Sequence, residues 1–171
     1  MRNLVLSVIG DDRPGLVSAL ADAVAAGGGN WERGQLAQLA GKFAGIVVVT
    51  VPDDRADALV AAVTALDGLL EVSVHPGQTA GVDPAAATEL SIGVLGNDRP
   101  GIVHELSAAL SRSGVSIERL ASDTREAPMA GGMLFEARME VLVPAGVDLA
   151  TVRADLERIA EELLVDLDLA D

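Results

Sequence analysis

The sequence predicts an α+β protein made of two copies of one βαββαβ unit, each a four-stranded antiparallel sheet with two helices on one face. Three observations predict it. The run Gly10-Asp11-Asp12-Arg13-Pro14-Gly15 returns 86 positions later as Gly96-Asn97-Asp98-Arg99-Pro100-Gly101. Each copy follows an apolar run of strand length, residues 4–9 and 90–95, and precedes an apolar stripe at helical spacing. The order of periodicities after the stripe is the same in both halves, which gives the split-βαβ, ferredoxin-like arrangement.

In the first copy, Leu4, Leu6 and Val8 alternate with Val5, Ser7 and Ile9 as a strand buried on at least one face. Asp12 is a good helix N-cap and Pro14 suits a first helical turn. Leu16, Leu20 and Val24 form the helical stripe, and Gly27-Gly28-Gly29 ends it. Residues 30–40 read as a second strand and 43–51 as a third, stopped by Pro52. Asp53-Asp54 open a second helix carrying Leu59, Val63 and Leu66, and Leu70, Val72 and Val74 mark the fourth strand.

Residues 77–88 lack periodicity and carry Gly and Pro, so they read as a linker between unit 1 (residues 1–76) and unit 2 (residues 89–171). The second copy repeats the plan. Ile102, Leu106 and Leu110 give its first helix, and Gly114 answers Gly28. Phe43 then matches Phe135 and Pro52 matches Pro144, a shift of 92, so six extra residues fall near 124–132. The segment Ala127-Pro128-Met129-Ala130-Gly131-Gly132 is expected to be a hairpin loop. Leu149, Val152, Leu156, Ile159 and Leu163 give the clearest helical stripe in the chain, and Val165, Leu167 and Leu169 close the repeat. The third strand of unit 1 is apolar on its second face too (Ala44, Ile46, Val48), which calls for cover on both sides.

Composition narrows the function. The formal charge is −14 and both halves are acidic. With no basic stripe and 2% aromatic residues, direct nucleic-acid binding is disfavoured, as is an anionic membrane surface. There is no cysteine, hence no disulfide or thiol chemistry. Met1-Arg2-Asn3 runs straight into a strand pattern with no signal-peptide pattern, and no apolar run reaches membrane-span length, so a cytoplasmic protein is expected. His75 and His104 have no third ligand beside them, and no metal, cofactor or catalytic constellation is expected.

The doubled Asp-Arg-Pro-Gly-[Leu/Ile]-Val corner after the first strand resembles that of tandem ACT domains, over nearly the whole chain apart from the linker. The second-repeat loop before Leu134-Phe135 makes the chain similar to the glycine cleavage system transcriptional repressor group. The resemblance implies that an amino acid or other small effector binds at the corner and the start of the second strand, commonly at an interface between ACT units. Carried over by position, it implicates Asp12, Arg13, Pro14, Gly15, Leu16 and Asn30 in unit 1, and Asp98, Arg99, Pro100, Gly101, Ile102 and Ser116 in unit 2. Such proteins often carry Asn-Ile where the second strand begins. Here unit 1 has Asn30-Trp31 and unit 2 has Ser116-Ile117, so two identical sites are not expected.

The residues themselves leave alternatives open. Asp12 and Asp98 either cap helices or face a ligand, and Arg13 and Arg99 either clamp a carboxylate or stand in solvent. Glycine costs about 1 kcal/mol against alanine in a helical turn, so Gly15 and Gly101 point to close approach by something. The reading is a non-enzymatic regulatory protein that senses an amino acid, glycine among the candidates, and acts through a protein partner such as a transcription regulator or enzyme. The alternatives are a ligand-free oligomerisation module and a detached regulatory part of an amino-acid or one-carbon enzyme. Two small cores and the doubly apolar third strand further predict a homodimer: light scattering at micromolar concentration should give twice 17.5 kDa or more, and a monomer unchanged by concentration would contradict this.

Overall fold

The computed structural model describes residues 1–77, 87–127 and 131–170. Contacts divide the chain into two compact units, Met1–Gly81 and Val82–Asp171. The expected linker lies mostly outside the described residues, as do Pro128, Met129 and Ala130 of the expected hairpin loop.

Unit 1 runs β1 (Arg2–Asp11), α1 (Leu16–Ala26), β2 (Asn30–Leu39), β3 (Lys42–Val51), a 3-10 turn (Asp53–Arg55), α2 (Ala56–Thr64) and β4 (Glu71–Pro76). Unit 2 repeats this with β5 (Thr88–Asn97), α3 (Ile102–Arg112), β6 (Ser116–Glu126), β7 (Met133–Val143), α4 (Leu149–Leu163) and β8 (Val165–Ala170). The sheets are ordered β2-β3-β1-β4 and β6-β7-β5-β8, every pair antiparallel. This is the ferredoxin-like fold that the repeat pattern predicts.

Each core lies between one sheet face and the two helices. In unit 1, Leu4, Leu6 and Val8 of β1 and Val47, Val49 and Val51 of β3 pack with Leu16, Leu20 and Val24 of α1 and Leu59 and Val63 of α2. In unit 2, Ile92, Val94, Met139 and Val141 meet Ile102, Leu106 and Leu110 of α3 and Val152, Leu156 and Ile159 of α4. Burying side chains of this size contributes on the order of 2 kcal/mol each, and no buried side-chain polar atom lacks a partner among the described residues. The bulges at Trp31/Arg33 and Ile117/Arg119 fall at the same place in β2 and β6. Trp31 and Ile117 both pack against their unit's core, so the difference between Asn30-Trp31 and Ser116-Ile117 is in part a packing difference.

The six extra residues of unit 2 lengthen the hairpin. Ala40 and Gly41 link β2 to β3, whereas residues 127–132 link β6 to β7, and each of those strands gains one residue. The Ala127 N–H donates to the Gly132 carbonyl at the base of the longer link.

The expected aspartate caps do not form. The N-caps of α1 and α3 are Gly15 and Gly101, and no side chain caps either helix. Asp12, Arg13 and Pro14 precede the helix, so Pro14 lies outside the first helical turn. The backbone N–H groups of Asp12 and Asp98 are instead bonded to the Gly41 and Met133 carbonyls at 2.9 and 2.8 Å, tying each corner to the neighbouring hairpin. In α4 the N-cap is Asp148, which accepts from the Ala150 N–H and the Thr151 hydroxyl. The Thr151 bond first, then the backbone bonds, holds its carboxyl below the ordinary range.

Two predictions follow from packing and capping. A Cβ on Gly10 would sit 2.6 Å from the Leu69 carbonyl oxygen, and one on Gly96 would sit 2.5 Å from Val165 Cγ1 and 3.0 Å from its Cα. Gly10→Ala and Gly96→Ala should each destabilise their unit by about 1–3 kcal/mol, read by urea unfolding. For Asp148, a carboxyl depressed in the folded state stabilises above its unfolded pKa, and that contribution is lost as pH falls through the folded value. Asp148→Ala should therefore lower the melting temperature at neutral pH, and the difference from wild type should shrink as acidification protonates the wild-type cap.

Candidate functional site

The glycine closing each corner has a geometric reason to be there. Gly15 has φ 94° and Gly101 φ 101°, the left-handed region that costs other residues about 1–2 kcal/mol. Nothing stands within 4 Å of a Cβ built on Gly15, and only Glu105 Oε1, at 3.4 Å, stands near one on Gly101. Backbone conformation selects these glycines, and crowding does not. The first helical bonds run from the Ala19 and Glu105 N–H groups to the Gly15 and Gly101 carbonyls. The N–H groups of Leu16, Val17 and Ser18, and of Ile102, Val103 and His104, therefore lie ahead of the hydrogen-bond ladder. Such groups, together with the helix dipole, favour an anion.

The two corners differ in charge. In unit 1, Lys42 opens β3 directly across from Asp11, the last residue of β1. The two form an exposed ion pair. The Lys42 hydrogen bond and then its charge hold the Asp11 carboxyl below its usual range, with Arg13 acting in the same direction. The same contact with Asp11, aided by Glu71, raises Lys42. Arg13 also donates to the Gly68 carbonyl at 3.0 Å, bracing the corner on the turn before β4. Two cations thus stand at the corner that leads into α1.

In unit 2 the equivalents of Asp11 and Lys42 are Asn97 and Leu134, which pair with each other across β5 and β7. Arg99 lies 3.6 Å from Glu105, in the first turn of α3, where unit 1 has Ala19. An acidic side chain of the protein itself stands at this helix start and engages the corner's arginine.

The other site candidates lie elsewhere in each unit. Asn30 pairs with Thr50, which pairs with Asn3 at the far end of β1. Eight residues of strand separate Asn3 from Asp11, roughly 27 Å. Ser116 is similarly remote from Asp98, through Leu142 and Glu89. The Asn30 amide and the Thr50 hydroxyl both donate to Glu32 Oε1, at 2.8 and 2.7 Å, and these bonds, Thr50 first, hold Glu32 below its ordinary range. Within one unit, the corner residues (Asp12, Arg13, Pro14, Gly15, Leu16; Asp98, Arg99, Pro100, Gly101, Ile102) come together, and Asn30 and Ser116 do not join them.

Among the described residues, no group of three or more His, Cys, Asp or Glu is disposed to hold a metal ion. No described helix is long and apolar enough to cross a membrane.

Each unit is a ferredoxin-like βαββαβ module that opens on a glycine-closed strand-to-helix corner. The chain belongs to the ACT domain family: family models match residues 2–75 and 90–163. Its architecture is similar to that of an unknown protein from Galdieria sulphuraria, at 32% identity and TM-score 0.87, covering 98% of this chain and 96% of that one. A structure provisionally described as a glycine cleavage system transcriptional repressor shares the fold at 15% identity and TM-score 0.74, covering 99% and 96% of the two chains. No curated protein matches the chain.

If positive φ is what Gly15 and Gly101 supply, Gly15→Ala and Gly101→Ala should each cost about 1–2 kcal/mol in the ligand-free protein. Unchanged melting temperatures in both variants would refute that account.

Proposed function

We propose that the chain is a regulatory, non-catalytic protein that binds an amino acid through its carboxylate, and that the corner of unit 1 is the receiving site. Membership of the ACT family supports the general reading. The observation that carries the choice of corner is the charge difference: unit 1 has Arg13 and Lys42 at its corner and no acid in the first turn of α1, whereas in unit 2 Arg99 is paired with Glu105 in the first turn of α3. An incoming carboxylate would compete with Asp11 for Lys42 and take up the free N–H groups of α1. In unit 2 it would have to displace a tethered acid. Glycine is the first amino acid to test, given the fold shared with the repressor-like structure. The effect passes to a protein partner, a transcription regulator or an enzyme, and the acidic surface disfavours direct action on nucleic acid.

A second reading, an assembly module, is favoured by one observation. Ile9 and Ile46 are 46% and 50% exposed on the sheet face turned away from the helices. Isothermal calorimetry over the amino acids, glycine included, separates the two readings. One corner site per chain is expected, weakened about tenfold or more (1.4 kcal/mol) by Arg13→Gln or Lys42→Met and unaffected by Arg99→Gln. Glu105→Ala should open a second, weaker site. Binding abolished by Arg99→Gln alone would overturn the choice of corner. No binding by any amino acid, with a concentration-dependent dimer that Ile46→Glu breaks, would favour the assembly module.

A further inference from the structure

We propose that the open face of the second sheet is a separate binding groove for a small dibasic amino acid, one carboxylate and two cationic groups, held by Arg138 and by Asp123, Asp166 and Asp168. The proposal does not rest on the corner site.

The groove is an open hollow of about 490 Å³ on the face turned away from α3 and α4. Strand register gives its floor. Ala121, Arg138, Gly93 and Asp168 form one row across β6, β7, β5 and β8, and Asp123, Glu136, Leu95 and Asp166 form the next. Four charges on this face neutralise one another: Arg119 pairs with Glu140 at 3.0 Å and Arg125 with Glu136 at 3.5 Å. Among the described residues, Arg138 makes no side-chain hydrogen bond or ion pair, and no cation pairs with Asp123, Asp166 or Asp168. The groove therefore holds one unmatched guanidinium and three unmatched carboxylates. A guanidinium selects a carboxylate, and the surplus of negative charge selects a ligand of net positive charge.

Spacing favours a molecule with its charges at both ends. Arg138 and Asp168 stand two strands apart, about 10 Å between Cα atoms. An extended dibasic amino acid, about 7 Å from carboxylate carbon to terminal nitrogen, bridges this gap together with the reach of the two side chains. Its α-ammonium then falls on the side of Asp123.

Gly93 supports the groove independently. A mid-strand glycine weakens a sheet and marks places where something approaches the backbone closely. At Gly10 and Gly96 the close neighbour is the protein's own chain. At Gly93 a Cβ would meet only Asp168, with Cβ at 3.4 Å, and no positive φ requires glycine. Local packing would admit a side chain there, and the space is left to the groove. The matching row of unit 1 is Gln35, Ile46, Ser7 and Ser73, with no charge, so the arrangement belongs to unit 2 alone.

The test is calorimetric or NMR titration of the full chain with L-lysine, alongside norleucine, which lacks the terminal ammonium, and cadaverine, which lacks the carboxylate. Lysine should saturate one site, with both comparators weaker by about tenfold or more. Arg138→Gln and Gly93→Leu should each weaken lysine by at least about tenfold, with melting temperatures near wild type. Asp168→Asn should weaken lysine and leave norleucine unchanged. Arg112→Gln, on α3, is the control that keeps lysine binding. No saturation by about 10 mM lysine, or binding untouched by Arg138→Gln, would overturn the proposal. A change of oligomeric state in Arg138→Gln without lysine binding in the wild type would overturn it in favour of a second copy of the chain on this face.

Discussion

Covering one face of a four-stranded sheet with two helices obliges the chain to leave the central strand β1 and double back at once into α1. Much of the architecture depends on how that reversal is made. Gly10 lets β1 pass close under the turn before β4, and Gly15 turns the backbone through a positive φ into the helix. The Asp12 N–H fastens the corner to the β2–β3 hairpin, and Arg13 braces it on Gly68. Unit 2 repeats the first three devices with Gly96, Gly101 and Asp98. The Gly-x-x-x-x-Gly spacing joins two separate requirements, close approach at its start and backbone conformation at its end.

The same reversal leaves a helix start with no side-chain cap. Capping residues contribute about 1 kcal/mol in such a position, and α4 uses one in Asp148. In α1 and α3 the position goes to a glycine with nothing to offer the free N–H groups. Unit 2 offsets this with Glu105, an acid in the first helical turn where the dipole favours it. Unit 1 has no acid in the first turn of α1 and places Lys42 and Arg13 nearby instead. In neither copy does a side chain bond the free N–H groups; unit 2 adds an acid beside them and unit 1 does not.

How much of this was legible in the sequence follows from what kind of signal each feature has. Strands, helices and their order were legible because β5, β7, α3 and α4 carry clean periodicities of two and of 3.6, and because the doubled motif fixed the units against each other. The cap was misread. Asp-x-Pro-Gly has the composition of an N-cap, but φ at glycine leaves no mark on composition, and only geometry reveals that the helix begins after Gly15. That Asn30 and Ser116 lie at the far end of their own sheets from the corner is a matter of antiparallel register, which composition does not show. Lys42 is the chain's single lysine, and its place beside Asp11 depends on strand pairing. An antiparallel β1–β3 pairing of equal strands would have put the first residue of β3 opposite the last of β1, and that register was the available signal. The Arg138 row was harder to see, since it takes four strands in correct register to align residues from 93 to 168.

The open sheet faces carry the argument furthest, because duplication fixed the helix-covered faces and left these free to diverge. Both cores remain aliphatic and of similar plan. On the far side, unit 1 presents Ile9, Ala44, Ile46 and Val48, and unit 2 presents alternating arginines and carboxylates. Polar residues on the open face of an antiparallel sheet are ordinary and need only water. Apolar residues there lose stability unless something covers them, and an unmatched guanidinium among acids gains from a ligand that completes its pairing. The two copies therefore differ most on the sides that folding did not constrain. In unit 1 an apolar face accompanies a cationic corner, and in unit 2 a charged groove accompanies a corner whose arginine pairs with a glutamate of the same helix.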